Sequence, residues 1–178
     1  MSRWLYAALQ QMDAAGGDPD AVASLMPERS PLDLFLTITD FYGYQRLIPI
    51  ARPRFVPDSR HRHALSFHHS SDDSNQFADD AGLAFAARTT SCFPAVFPPV
   101  SLGGFSKAIG APLTVLSDRC FRIYELSGAD ARSTFFVDGG VLDNKPFGWA
   151  TDTLIRGLKG VKTPIQGKSP FPAVSGDR

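Results

Sequence analysis

The chain has 178 residues, of which 43% are hydrophobic and 20% are charged, a composition that suits one globular domain burying about 70% of its unfolded surface. Eighteen Lys and Arg residues balance eighteen Asp and Glu residues, so no overall charge excess attracts nucleic acid or an anionic membrane over long range. Cys92 and Cys120 lie apart in apolar sequence without CxxC spacing, which predicts two free core thiols rather than a disulfide scaffold.

The first segment is predicted to be an amphipathic helix over residues 2–15, because apolar residues recur there at helical spacing and Gly16-Gly17 is a natural stop. Polar residues interrupt it, so it lacks the apolar core of a signal peptide. No stretch of 18 apolar residues occurs anywhere in the chain. We therefore expect a protein that is cytoplasmic or peripheral to a membrane.

The next segment predicts two strands joined by a loop. Residues 33–41 are β-branched and aromatic-rich, and their near-continuous apolarity suits a strand covered on both faces of an α/β sheet. Residues 46–62 contain three prolines and are predicted to be a loop. The alternating pattern of residues 63–69 then indicates a second strand.

An alanine-rich helix is predicted over residues 77–88, capped by Asp72-Asp73-Ser74-Asn75 and ended by Pro94. Phe93 and Phe97 are expected to plug an apolar wall after it. Further along, residues 120–126 and 134–137 are predicted to be two paired strands separated by a turn at 127–130.

Asp138-Gly139-Gly140 follows a predicted strand and precedes a predicted helix that starts near Pro146 and ends at Gly157 or Gly160. A strand end fixes a carboxylate, and the two glycines are expected to leave space beside it for substrate or nucleophile. A plain β-hairpin is the alternative, because Asp-Gly between apolar runs is a strong hairpin signal.

Three blocks in the same order resemble the patatin-like phospholipase family over roughly residues 33–158. The first is the strand ending in Thr39-Asp40, and the second is Ala87-Arg-Thr-Thr-Ser-Cys-Phe-Pro-Ala-Val-Phe-Pro-Pro99. The third is Phe136-Val-Asp-Gly-Gly-Val-Leu-Asp-Asn-Lys-Pro146. The resemblance implies a three-layer α/β/α domain that hydrolyses carboxylic esters of acyl lipids or phospholipids without a metal or other cofactor.

By this resemblance Asp138 is the general base of a Ser-Asp dyad. Gly139 and Gly140 would give access to it, and Phe93, Pro94 and Phe97 would border an acyl pocket. The implied partners are acyl-lipid or phospholipid substrate and a membrane surface contacted peripherally, with no nucleic acid.

The sequence departs from the family at the nucleophile, since it contains no G-x-S-x-G elbow and no glycine-rich oxyanion loop. The nearest string, Gly104-Phe-Ser-Lys-Ala108, has the wrong last residue. We therefore expect residues 1–160 to be a partial domain that begins after these elements, and residues 161–178 to be a loose tail. Alone, the chain is expected to be inactive.

Other polar features are interpreted more simply. His61, His63, His68 and His69 could hold a metal but are expected to lie on the surface. Ser91 is expected to bond to a nearby carbonyl at a helix end, and no helix N-terminus or cation lies beside Cys92 in sequence, so a cysteine hydrolase is not expected. Five arginines between residues 46 and 62 could meet phospholipid head groups or be a solvated loop. A non-catalytic lipid-binding or partner-binding module using this loop is the alternative function.

Overall fold

The computed structural model describes residues 1–15, 31–51, 54–70, 75–145 and 147–158. These ranges form a mixed α/β structure in which helices pack on a four-stranded antiparallel sheet of order β2-β1-β4-β3. The sheet consists of β1 (Leu32–Ala51), β2 (Arg54–His69), β3 (Val100–Ser101) and β4 (Phe135–Asp138).

The first two strands form one long hairpin. Their antiparallel register runs from Leu32 opposite His69 to Ala51 opposite Arg54. The strands predicted at 33–41 and 63–69 are therefore confirmed, whereas the loop predicted at 46–62 is wrong. Proline is tolerated here because the outer parts of β1 and β2 pair only with each other. An N–H that points away from the partner strand has no further strand to bond to, so its absence in proline removes no hydrogen bond of the sheet.

β1 lies inside the sheet, between β2 and β4. It pairs with β4 through Ile38 opposite Asp138, and β4 pairs in turn with β3 through Phe136 opposite Val100. All four residues from 37 to 40 are buried, as a strand covered on both faces requires, although only Ile38 among them is apolar. The strand predicted at 134–137 is confirmed as β4, one residue later in the chain.

Three helices cover one side of the sheet: α1 (Ser2–Ala15), α2 (Asp80–Thr90) and α3 (Leu102–Ile109). α1 confirms the predicted amphipathic helix and packs on α2 and α3, while α2 packs on β1 and β4. α2 starts three residues later than predicted. The Asn75 side chain caps a short 3-10 helix (Gln76–Ala78) instead, and the Asp79 carboxylate caps α2 by accepting the Gly82 N–H at 2.9 Å. Residues 72–74 lie outside the described ranges.

The strand predicted at 120–126 is wrong, because the chain forms α4 (Thr114–Cys120) and α5 (Arg122–Leu126) there. Leu116, Cys120 and Tyr124 are all buried and follow one another at four-residue spacing, which places them on one side of a helical segment. The predicted turn after residue 126 is confirmed.

The core is an aromatic cluster between these helices and the sheet. Phe85 of α2 meets Phe105 and Phe136 edge-on, with ring centroids 5.5 and 6.2 Å apart. Phe121 lies 5.3 Å from Phe136. Edge-to-face contacts of this kind stabilise a core beyond the area that they bury, so the aromatic rings hold β4 in position.

The chain continues from β4 through a short 3-10 helix (Gly139–Val141) to α6 (Phe147–Leu158). Trp149 of α6 stacks on Phe35 of β1 with ring centroids 6.2 Å apart. Pro146, Gly160 and the predicted loose tail at 161–178 lie outside the described residues. No helix in the described part of the chain is long and apolar enough to cross a membrane.

Candidate functional site around Asp138

Asp138 is the last residue of β4 and lies opposite Ile38 of the buried part of β1. The chain turns from it into the 3-10 helix Gly139–Val141 and then α6, and no described residue after Asp138 returns as a strand. The hairpin alternative is therefore wrong, and the strand, carboxylate, helix order predicted from the sequence is confirmed.

Two backbone hydrogen bonds fix Asp138. Its N–H donates to the Cys92 carbonyl oxygen at 3.0 Å, which joins the end of β4 to the segment after α2. Its Oδ1 accepts the Gly140 N–H at 2.8 Å. Within the described ranges no other group bonds to this half-buried carboxylate, so Oδ2 is left to accept a proton from another molecule or segment.

The two glycines have different roles. A Cβ on Gly139 would lie 2.2 Å from both the carbonyl carbon and the oxygen of Thr37, so this glycine permits β1 and the 3-10 helix to approach closely. The expectation that Gly139 opens space beside Asp138 is therefore wrong. Gly140 is exposed, and a Cβ there would lie 3.2 Å from Asp138 Oδ1. Gly140 is therefore the glycine whose missing side chain lies beside the carboxylate.

The segment after Cys92 carries apolar side chains on the surface. Phe93 and Phe97 are exposed, and Pro94 is half-buried, so the two phenylalanine rings do not plug the core as expected. The Arg88 guanidinium lies 5.6 Å from the centre of the Phe97 ring and donates to the Pro98 carbonyl oxygen at 3.2 Å. These contacts hold the segment in a defined shape beside the residue that anchors Asp138.

The nearby hydroxyl and thiol groups are engaged elsewhere. Ser91 Oγ donates to the Ala87 carbonyl oxygen, as its position at a helix end predicts. Ser106 Oγ donates to the Ala111 carbonyl oxygen at 2.7 Å. Cys92 is a free, buried thiol whose Sγ donates to the Pro98 carbonyl oxygen at 3.0 Å, and Cys120 is also free and buried. None of these groups donates to Asp138.

The sequence motifs do not mark a second carboxylate, Asp40, as a site of its own. It is 1% exposed, and its Oδ1 accepts the N–H groups of Tyr42 and Gly43 at 2.9 and 2.8 Å. Its Oδ2 accepts the Tyr124 hydroxyl at 2.9 Å, and burial together with the Asp40 charge raises the pKa of Tyr124. With all its bonds made inside the protein, Asp40 shapes the irregularity in β1 and joins it to α5.

The histidines do not gather around one point. His63 is half-buried rather than exposed as expected: its ring stacks on Phe121 with centroids 4.8 Å apart, and desolvation of the ring lowers its pKa to about 4. His61 bonds to the Asp40 carbonyl oxygen at 2.8 Å, and His68 pairs with the Asp33 carboxylate at 2.7 Å. In the described part of the chain no three His, Cys, Asp or Glu residues come together as a metal site.

An open cleft lies beside the hairpin, lined among others by Tyr44, Arg60, Arg62 and Trp149. Asp138 does not line it. The half-buried Asp138 carboxylate lies apart from this cleft, and the backbone of Asp138 is bonded to Cys92, the residue before the exposed Phe93.

No protein-family model matches this chain, and no curated protein or solved structure matches it.

Proposed function

We propose that this chain carries the base-bearing part of a patatin-like lipid acyl hydrolase. Asp138 would act as the general base for a serine in a G-x-S-x-G elbow. This sequence does not contain that motif. The observation that carries the proposal is the Asp138 carboxylate itself: Oδ1 is held by the Gly140 N–H at 2.8 Å, while Oδ2 is unbonded among the described residues. A general base needs this combination of fixed orientation and an available oxygen.

The proposed reaction has two steps, in which the Asp138 carboxylate accepts and returns a proton. Oδ2 of Asp138 takes the proton of the serine hydroxyl as the serine oxygen attacks the ester carbonyl carbon. The tetrahedral intermediate collapses by breaking the bond to the alcohol, which leaves with the proton, and an acyl-enzyme remains. Water then attacks the acyl carbon and gives a proton to Asp138, which returns it to the serine oxygen as the bond from that oxygen to the acyl carbon breaks and the fatty acid is released. The Gly140 N–H keeps the carboxylate from rotating during both steps.

The placement of helices on the sheet supports a three-layer α/β/α arrangement. Residues directly opposite each other in an antiparallel pair share a face, so Asp40 and Phe136 lie on the face that packs against α2. Phe35 has the opposite parity to Asp40 and meets Trp149 of α6. Helices therefore contact both faces of β1.

Exposed apolar side chains around Asp138 support an acyl substrate. The segment after Cys92 presents Phe93 and Phe97, and the residues after Asp138 present Val141 and Leu142 to solvent. Exposed apolar groups on the two segments that adjoin Asp138 suit an ester with a hydrocarbon chain better than a polar metabolite. The proposed substrates are esters of acyl lipids, including phospholipids.

The second candidate is a module that binds lipid or a partner without catalysis. The finding that favours it is that, of the hydroxyl and thiol groups in the described residues, none donates to Asp138. The two candidates differ in one property, since only the hydrolase requires the Asp138 carboxylate for function.

The test joins the chain to the reading frame upstream of it, where the proposal requires a G-x-S-x-G segment, and measures p-nitrophenyl ester hydrolysis. Asp138→Asn preserves size and the hydrogen bond from Gly140 but removes the proton acceptor, so hydrolysis should fall by about 10²- to 10⁴-fold. Asp143→Asn is the matched control in the same segment and should change the rate only a few-fold. Equal rates for both variants, or an upstream region without such a segment, would remove the catalytic assignment.

A further inference from the structure

The outer end of the long hairpin exposes large apolar side chains. We call residues 47–51 and 54–57 the hairpin tip. Leu47 and Ile50 are 65% and 68% exposed, and Phe55 and Val56 are exposed as well. Contiguous exposed apolar surface of this kind marks an interaction site on a protein that is otherwise folded around its core.

The apolar residues occupy both faces of the ribbon. Leu47 lies opposite Pro57 and Pro49 lies opposite Phe55, and these pairs share one face. Ile48 lies opposite Val56 on the other face. A groove on a protein partner would cover one face and leave the other in water, whereas a lipid interface surrounds a narrow ribbon on both faces.

The charge around the tip is positive. Residues 46–62 contain five arginines and a single acidic residue, Asp58, while the whole chain is neutral. Asp58 is already paired with Arg46, whose Nε lies 2.8 Å from its Oδ2. Arginine side chains can lay their apolar stems along a buried ribbon and extend their guanidinium groups to phosphate, so the tip combines the two features of an interfacial anchor.

We infer that the hairpin tip docks on an anionic phospholipid surface. Its apolar side chains enter the boundary between head groups and acyl chains, and the neighbouring arginines contact the phosphates. The site is separate from Asp138 and binds whether or not the chain hydrolyses lipid. It would bring the protein to aggregated lipid, where an acyl substrate is found.

The experiment is co-sedimentation of the full chain with vesicles of phosphatidylcholine alone or mixed with phosphatidylserine. We expect binding to the mixed vesicles to be at least about tenfold tighter than binding to phosphatidylcholine alone, since each arginine near an anionic surface contributes about fivefold to the affinity. Added salt should weaken binding to the mixed vesicles. Ile50→Ser/Phe55→Ser removes one large apolar side chain from each strand of the tip and should weaken binding at least about tenfold. Leu126→Ser, at a residue 75% exposed on α5, is the control and should bind like the parent.

A tryptophan placed by Phe55→Trp reports on insertion directly. Its emission should shift to the blue on adding mixed vesicles, and brominated lipid should quench it. Absence of vesicle binding by the parent, or equal binding by the tip variant and the control, would overturn the inference. Vesicle binding absent together with a dimer that Ile50→Ser/Phe55→Ser dissociates would instead assign the tip to a second copy of this chain. Asp138→Asn should leave vesicle binding unchanged, so failure of the proposed hydrolase and failure of the anchor are distinguishable.

Discussion

Replacement of the half-buried His63 by phenylalanine should remove the acid sensitivity that this side chain gives to the fold. The imidazole lies on β2 with its ring 4.8 Å from Phe121 and 5.6 Å from Tyr124, and its Nε2 is enclosed without a hydrogen-bond partner among the described residues. Burial, with a smaller contribution from the Arg60 charge, lowers the pKa of His63 from 6.5 to about 4.

The magnitude follows from proton linkage. Between pH 6.5 and pH 4 the unfolded chain binds a proton at His63 that the folded chain excludes, so stability is full above pH 6.5 and falls as the pH drops. For these two pKa values the free energy of unfolding should decrease by about 2 kcal/mol between pH 7 and pH 5. The complete loss, reached below pH 4, is about 3 kcal/mol.

Urea unfolding at pH 7 and pH 5 measures this difference in the parent chain and in His63→Phe. The phenylalanine ring preserves the stacking on Phe121 and does not titrate, so the variant should lose about 2 kcal/mol less than the parent on acidification. A His63→Phe variant that loses as much stability as the parent would refute the reasoning, as would an NMR titration of His63 near 6.5.

Two further predictions concern backbone positions. Gly139→Ala should destabilise the fold by at least about 2 kcal/mol in urea unfolding, because its Cβ would meet the Thr37 carbonyl group at 2.2 Å. Gly148→Ala on the surface of α6 has open space and should stabilise the fold by up to about 1 kcal/mol. Equal effects of the two substitutions would contradict the close packing of Gly139 on Thr37. Ala95 has a φ of +70°, so Ala95→Val should cost about 1 kcal/mol or more while Ala95→Gly should not destabilise, and a tolerated valine would show that this segment relaxes.

Local sequence patterns predicted the elements whose signal lies within a few consecutive residues. α1 was predictable from apolar residues at helical spacing, and β4 from an apolar run ending in Asp138. The segment around Tyr124 was mispredicted because its short apolar run fits both periods. Burial of Leu116, Cys120 and Tyr124 against the sheet selects the helix, and that contact involves residues distant in sequence.

The long hairpin is a second segment that local sequence patterns mispredicted. Three prolines between residues 46 and 62 predict a loop when each residue is considered alone. Pairing of β1 with β2 overrides them, since the cross-strand register from Tyr44 opposite Arg60 to Ala51 opposite Arg54 needs no donor on the outward side of the ribbon. The long hairpin and its apolar tip are consequences of that pairing.

Strand propensity and turn chemistry act within a few residues, so the local sequence was enough to predict that Asp138 ends a strand and precedes a helix. The surroundings of the carboxylate depend on tertiary packing. The Cys92 carbonyl oxygen is brought to the Asp138 N–H from 46 positions away, and Gly139 is pressed against Thr37. The same holds for His63, whose lowered pKa depends on packing against Phe121, between α4 and α5, and Tyr124 of α5. Contacts between residues far apart in the chain arise from packing of whole elements, and no local pattern encodes them.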